Sequence, residues 1–460
     1  MACVCRKNSA HEVGTDVSNL HDRNAGFRTM ASMHIRLYLY LRDMNTFTTT
    51  QKFKHLFSLP VIIAALGYFV DIYDLLLFGI VRIPSLQDLN LDPTKIGTAI
   101  INWQMGGLLI GGIFWGMLGD KKGRLSVLFG SIITYSIANI ACGFLPHIDF
   151  MDKGTAYMTL RFIAGIGLAG ELGAGITLVS ESLPKELRAL GTSIVAGFGL
   201  FGAVVANFTV ELSGDWTVAY WIGGAMGICL LLLRIGVIES GMFKVIHKDS
   251  GIRKGSFRMF FNNKDRFFRY MKCIGIGLPT WFCIGILAML GNEFGTALGI
   301  REPIKPGMAI MWAYIGISVG DLGSGFISHW MKSRKKAIFW MMTFTLVGVI
   351  LMLFSGVQTA RMYYFYCIWL GLGTGYWAMF VTVGAEQFGT NIRATAATTI
   401  PNMVRGTVVG MTLIYSWGKP ALGIILAGAL VGLICFAIGI YATLTVPETH
   451  DRDLDFIEQD

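Results

Sequence analysis

Apolar runs of about 20 residues, the length that crosses a bilayer as a helix, follow one another almost without pause from Leu59 to Val446. Short polar breaks divide them into twelve predicted spans: 58–80, 96–118, 125–145, 155–179, 189–212, 217–238, 273–298, 307–331, 336–356, 362–385, 391–416 and 420–446. A cytoplasmic, partly disordered tail is expected over 1–57, a six-helix bundle over 58–238, a basic cytoplasmic linker over 239–272, a second bundle over 273–446 and a tail over 447–460. Residues 1–43 read as a disordered extension or a misplaced start, because Met44 already opens an ordinary lead-in to the first span.

Composition closes off the soluble alternative. With 53% apolar and 15% charged residues, too few polar side chains remain to cover a large soluble core. The net charge of +9 invites a nucleic-acid reading. Its distribution refutes that, since the basic residues occupy alternate short loops rather than one patch. The loops after spans 2, 4, 6, 8 and 10 hold 19 Lys and Arg, the opposite loops 7. That bias predicts the first set, and both termini, on the cytoplasmic side. Of the eight cysteines, six lie in or beside apolar spans as small hydrophobes. Cys3 and Cys5 are too little for a metal site.

The chain repeats itself. Glu181 and Arg188 stand 205 residues before Glu386 and Arg393, and each pair marks the loop after the fourth span of its half. Gly116-x3-Asp120 before Lys-Lys-Gly-Arg likewise answers Gly325-x3-His329 before a basic run. The expected fold class is thus an all-α polytopic membrane protein of twelve transmembrane helices in two pseudo-symmetric bundles. Duplicated halves with a midplane site between them are a transporter's organisation.

Gly116, Asp120, Gly123 and Arg124 form an ordered Gly-x3-Asp-x2-Gly-Arg in the loop after span 2. A plain basic turn explains the cations but not that order. Here the chain resembles the major facilitator superfamily, which implies a gating latch with Asp120 docking near the start of span 11. Glu181, Arg188, Glu386 and Arg393 join it as gating-loop residues. Gly67-Tyr-Phe-Val-Asp71-Ile-Tyr73-Asp74, Arg161 to Ala174 and Glu239-Ser-Gly-Met-Phe243 are similar to the metabolite:proton symporter branch. The chain departs from that branch at Trp103-Gln104, where Arg-Pro is usual, and at Asp71, where Glu is. Pro447-Glu448-Thr449-His450 resembles sugar porters, but Gly277-Leu-Pro279-Thr-Trp281 lacks their Gln pair.

Gly165-x-Gly167-x-x-Gly170 fits a dinucleotide fingerprint, yet it sits inside an apolar helix with no preceding strand. It reads as a packing face, and neither a cofactor, a metal site nor a catalytic constellation is expected.

Ionisable groups inside the spans carry the functional reading, because each costs at least about 2.5–3.5 kcal/mol in the bilayer. Asp71 and Asp74, at i and i+3, can share a face of span 1. A carboxylate that titrates near neutral pH is what a proton-coupled carrier needs; a cap or a structural ion pair is the plainer role. Glu171 and Asp321 complete the proton-coupling candidates, and Asp321 and Arg405 fall near mid-span, where they could neutralise each other. Arg161 and Arg405 are candidates for gripping a carboxylate, unless they only brace helices. Trp103, Trp281, Tyr376 and Trp377 are candidate cavity aromatics, no more than two of which are expected to touch substrate.

The expectation is a monomeric secondary active carrier in a bacterial inner membrane. It would move a small carboxylate-bearing or zwitterionic metabolite with protons, by alternating access. Its partners are solute, proton and lipid bilayer, with no nucleic acid. A sugar or neutral-solute carrier is second, and a transporter-like solute sensor is the rival of another class.

Overall fold

The computed structural model describes residues 56–122, 124–171, 183, 188–239, 257–450 and 456–458. The side chains of 60, 119–126, 188–190, 192–193, 236–239 and 394 also fall outside the description. Among the described residues the chain is all-helical. Nine runs are long and apolar enough to cross a membrane, and one of them, Thr395–Thr445, carries both spans 11 and 12. Arg124–Gly143 and Lys153–Leu168 supply spans 3 and 4, giving twelve.

Several boundaries depart from the hydropathy reading. Span 1 continues past residue 80 to Asp88, carrying Arg82 and Pro84 within the helix. Span 7 begins at Lys264, nine residues earlier than expected, because its first turns are amphipathic rather than apolar. Spans 11 and 12 separate at Gly423, whose φ of 75° suits glycine. The expected break, residues 417–419, lies within helix, as does Pro420.

Five spans break near their middles. Span 4 turns at Ala169–Gly170, span 5 at Phe201, span 10 at Gly375–Tyr376 and span 11 at Thr407. Span 7 relaxes into a π-helical stretch, Cys283–Ala288, just after Pro279. Proline lacks an N–H and crowds the preceding turn, and a π stretch is one way a helix absorbs such a defect. Asp321 of span 8 accepts the Ala378 N–H at 2.9 Å, capping the second piece of span 10, Trp377–Glu386.

The two halves are built alike. In the first, spans 2 and 4 approach until Gly107 and Gly165 face the other helix's backbone, at Phe162 and Gln104. In the second, spans 8 and 10 do the same, with Gly316 against Ile368 and Gly371 against Ala313. Small residues let helices close without a driving force from water. The glycine-rich run of span 4 divides its contacts, Gly165 toward span 2 and Gly167 toward Tyr135 of span 3. Gly371→Ala is therefore expected to lower stability by about 1–3 kcal/mol, because its Cβ meets a carbonyl that has no room to move. Gly410→Ala, with nothing within 4 Å, will not. Paired melting curves in detergent check this, and equal midpoints would count against the close-approach account.

Where the halves meet, span 11 lies on span 2, with Gly112 against Asn402 and Gly406 against Leu109. Asn402 Nδ2 crosses to the Ala169 carbonyl at 2.8 Å. Span 5 meets span 8 at Gly307, which faces Asn207. These contacts leave a narrow space at mid-level, bounded by the helix breaks.

Candidate functional site

The central cavity is walled by Tyr68 of span 1, Leu200 of span 5, Thr280 and Trp281 of span 7, Tyr314 of span 8, Trp377 of span 10 and Arg405 of span 11. Four of the broken spans thus contribute a wall residue close to the break. Discontinuous helices at a midplane site supply backbone dipoles and adjustable geometry there. The cavity volume is about 10 Å³ for water-sized occupants, room for one water. A solute larger than that does not fit the cavity as it stands.

Arg405 is the cation of this site and is 1% exposed. Its Nη2 stands 3.7 Å from Asp71 Oδ2, an ion pair longer than a hydrogen bond. Nη1 reaches Asn402 Oδ1 at 3.5 Å, and Nε has no hydrogen-bond partner. The guanidinium lies 5.9 Å from the Trp281 ring centroid, and Trp281 packs edge-on to Trp377. Asp71 is fully buried, and neither of its oxygens has a hydrogen bond. Cation and carboxylate are therefore loosely joined and underused. Such a pair can take a ligand without first breaking a network.

The other candidates fall elsewhere. Asp74 does not share Asp71's surroundings, because three residues along a helix turn the side chain by about 60° away from the starting direction. Its carboxyl faces Gly223 of span 6, inside the first bundle. Arg161 is likewise internal to that bundle. Its guanidinium donates to Gln104 Oε1 (3.2 Å), Asn139 Oδ1 (2.7 Å) and the Asp74 carbonyl (3.0 Å), and lies over Tyr220. With its donors engaged, it braces spans 1 to 4 and does not line the cavity.

Glu171 forms a two-pronged pair with Arg234 of span 6, one prong being 3.0 Å, and both side chains are buried. Gly67 of span 1 makes room for it, since a Cβ there would collide with both partners. Asp321 does not meet Arg405, whose ion-pair partner is Asp71; it caps the span 10 break instead. Of the four aromatics, Trp281 and Trp377 line the cavity. Tyr376 is buried and donates to the Ile276 carbonyl at 3.1 Å, tying span 10 to span 7. Trp103 is 49% exposed and turned outward against Phe162.

A sequence profile of the Major Facilitator Superfamily matches residues 64–411, which run from span 1 into span 11 and include every wall residue. This chain belongs to the Major Facilitator Superfamily. It is a secondary transporter in a membrane, not an enzyme. The gentisate transporter of Corynebacterium glutamicum is 26% identical over 383 residues, covering 79% of this chain and 78% of that one. The niacin transporter NiaP of Acinetobacter baylyi is 30% identical over 182 residues, 39% of this chain and 40% of that one. Among solved structures, the proton:xylose symporter XylE has a TM-score of 0.65 at 16% identity. The match covers 87% of this chain and 98% of that one, and it shows the major facilitator fold.

The superfamily's loop motif is only partly visible. Gly123 and Glu181, and the side chains of Asp120, Arg124 and Arg188, lie outside the described residues. Gly116 packs loosely on Thr399 of span 11. In the second half Glu386 pairs with Arg334 of the loop after span 8, and Arg393 Nε reaches back to the Phe388 carbonyl at 3.2 Å. Glu448 joins the same face, accepting from the Ser333 hydroxyl and from the backbone N–H groups of Arg334 and Lys335. Among the described residues no group of acids, cysteines and histidines is placed to hold a metal.

Tyr68, Leu200, Thr280, Tyr314 and Asn402 are site residues that the sequence reading does not single out. Tyr68 and Tyr314 are single tyrosines in apolar runs, a common packing residue. Asn402 is a neutral side chain that becomes informative only once Arg405 is seen beside it.

Proposed function

We propose that this transporter carries a small aromatic carboxylate together with a proton, by alternating access around the Arg405 site. One observation bears the weight: a buried guanidinium in the cavity wall, flanked by tryptophan and weakly held by a single carboxylate, Asp71. A guanidinium fits a carboxylate with two parallel hydrogen bonds, and Trp281 and Trp377 offer faces and edges to a ring. Gentisate and niacin, which name two of the relatives, each join a carboxylate to an aromatic ring.

Charge balance supplies the coupling. With the site empty, ionised Asp71 neutralises Arg405. With substrate bound, the ligand's carboxylate takes over that role and a proton neutralises Asp71. Both states are neutral overall, whereas solute without proton, or proton without solute, leaves a net charge in a low-dielectric interior. One proton accompanies each carboxylate, and a monocarboxylate crosses without net charge. The basic loops and both termini face the cytoplasm in this reading.

Proteoliposomes with an imposed pH gradient test the proposal. Labelled gentisate or niacin should accumulate, and a protonophore should collapse the accumulation. Equilibration that ignores the gradient would remove proton coupling and leave facilitated diffusion. Arg405→Ala is expected to cut the initial rate at least a hundredfold, since hydrogen bonds to charged groups are worth about 1.5–3 kcal/mol each. Arg405→Lys keeps the charge without the fork and should retain part of the rate. Wild-type uptake by Arg405→Ala would refute the anchoring role. A neutral sugar makes no use of the guanidinium's charge, so the Asp71–Arg405 pair gives it no coupling to protons.

A further inference from the structure

Arg82 lies 11 residues beyond Asp71 on span 1. That is three helical turns, roughly 16 Å, and brings it back to the same face of the helix. Gly79, nearly one turn before Arg82, abuts Ile310 and Met289 of the second half. Arg82 is fully buried there. It donates to the carbonyls of Pro93 and Met289, both at 3.0 Å, and to Asn292 Oδ1 at 2.5 Å. Its Nε has no partner. Every hydrogen-bond acceptor it has is neutral. The nearby carboxylate, Glu293, is held by Lys419 at 2.6 Å and by the Tyr415 hydroxyl at 3.1 Å.

A sealed guanidinium without a bonded anion is an expensive arrangement. Two of its three acceptors, Met289 and Asn292, belong to span 7 and leave it when the halves part at this end. It then stands on the same stripe of span 1 as Asp71, at the end that carries the less basic loops. We infer that Arg82 is a second carboxylate-binding residue of the transport path. It exchanges its span 7 acceptors for the carboxylate of an arriving solute and regains them as the solute moves on to Arg405. The inference rests on the anionic-substrate reading above. It adds a capture step that biases entry from the Arg82 side toward anions.

Sided kinetics test it with labelled gentisate, or niacin if the wild type accumulates that instead. Intact cells present the probe to the Arg82 side, and inverted membrane vesicles present it to the other. Arg82→Gln should raise the half-saturating concentration in cells about ten- to a hundredfold, the loss of one or two charge-assisted hydrogen bonds. In inverted vesicles it should stay within about twofold. Arg82→Lys should recover part of the loss.

A residue that only locks the gate predicts the opposite sign. Removing a lock populates the state open on that side and lowers the half-saturating concentration there. That result, or no change in cells, overturns the inference. A misfolded variant would lose rate from both sides alike, and Arg82→Lys then decides the matter. If the wild type takes up neither probe, the carboxylate reading itself fails. Normal wild-type uptake with an unaltered Arg82→Gln removes the capture step alone.

Discussion

Asp71→Asn transporter in proteoliposomes will exchange labelled for unlabelled carboxylate at close to the wild-type rate, yet it will not accumulate solute on a pH gradient. The reason lies in the 3.7 Å pair between Asp71 and Arg405. Asparagine imitates the protonated acid, so the guanidinium is always free to hold a carboxylate and the loaded site is always neutral. The empty site then carries a bare guanidinium. Returning it across a low-dielectric interior costs at least about 2.5–3.5 kcal/mol, roughly a hundredfold in population. Exchange never passes through the empty state, whereas net uptake must. Asp74→Asn provides the control, since that carboxyl faces Gly223 inside the first bundle. It should keep accumulation. Accumulation by Asp71→Asn, or an exchange-only phenotype in Asp74→Asn, would move the coupling group away from Asp71.

Glu171→Ala will destabilise the protein by about 3–5 kcal/mol, the usual cost of orphaning one member of a buried ion pair. Arg234 and Glu171 are 4% and 1% exposed, so the arginine left behind is not rescued by water. Glu171→Leu combined with Arg234→Met should regain most of the loss, because replacing both partners leaves no uncompensated charge. Thermal denaturation in detergent, read beside uptake, separates two roles for Glu171. A lower melting midpoint that the double variant restores marks it as a structural brace of spans 4 and 6. An unchanged midpoint with gradient-driven accumulation lost would instead make Glu171 a proton carrier.

The architecture was legible before any coordinates, for reasons the bilayer imposes. Each span must supply about 20 apolar residues and satisfy its own backbone, so helix number and class show in hydropathy. The repeated Glu and Arg of the two halves announced a duplication, now seen as matched glycine contacts between spans 2 and 4 and spans 8 and 10. Charges inside apolar runs stand out for the same reason, and Asp71 and Arg405 were singled out together with Arg161, Asp74 and Asp321.

What those charges touch could not be read. A helix carries its side chains around a full circle, and only the neighbouring helix decides whether a given direction meets a cavity, a partner or lipid. Asp71 and Asp74 differ by about 60° around span 1, enough to send one toward Arg405 and the other toward span 6. Arg82 shows the same limit. It counted in sequence as a base in a short loop, but the helix runs on to Asp88 and buries it against span 7. The helix breaks were hidden as well. At two of them freed backbone groups find partners far along the chain, Asp321 for the Ala378 N–H and Asn402 for the Ala169 carbonyl. The sequence by itself determined twelve spans, because lipid constrains every segment locally, and an internal repeat, because matching Glu and Arg recur at one offset. Tertiary structure alone decided which buried charges face one another, because pairing depends on helix rotation and close glycine contacts that no single segment encodes.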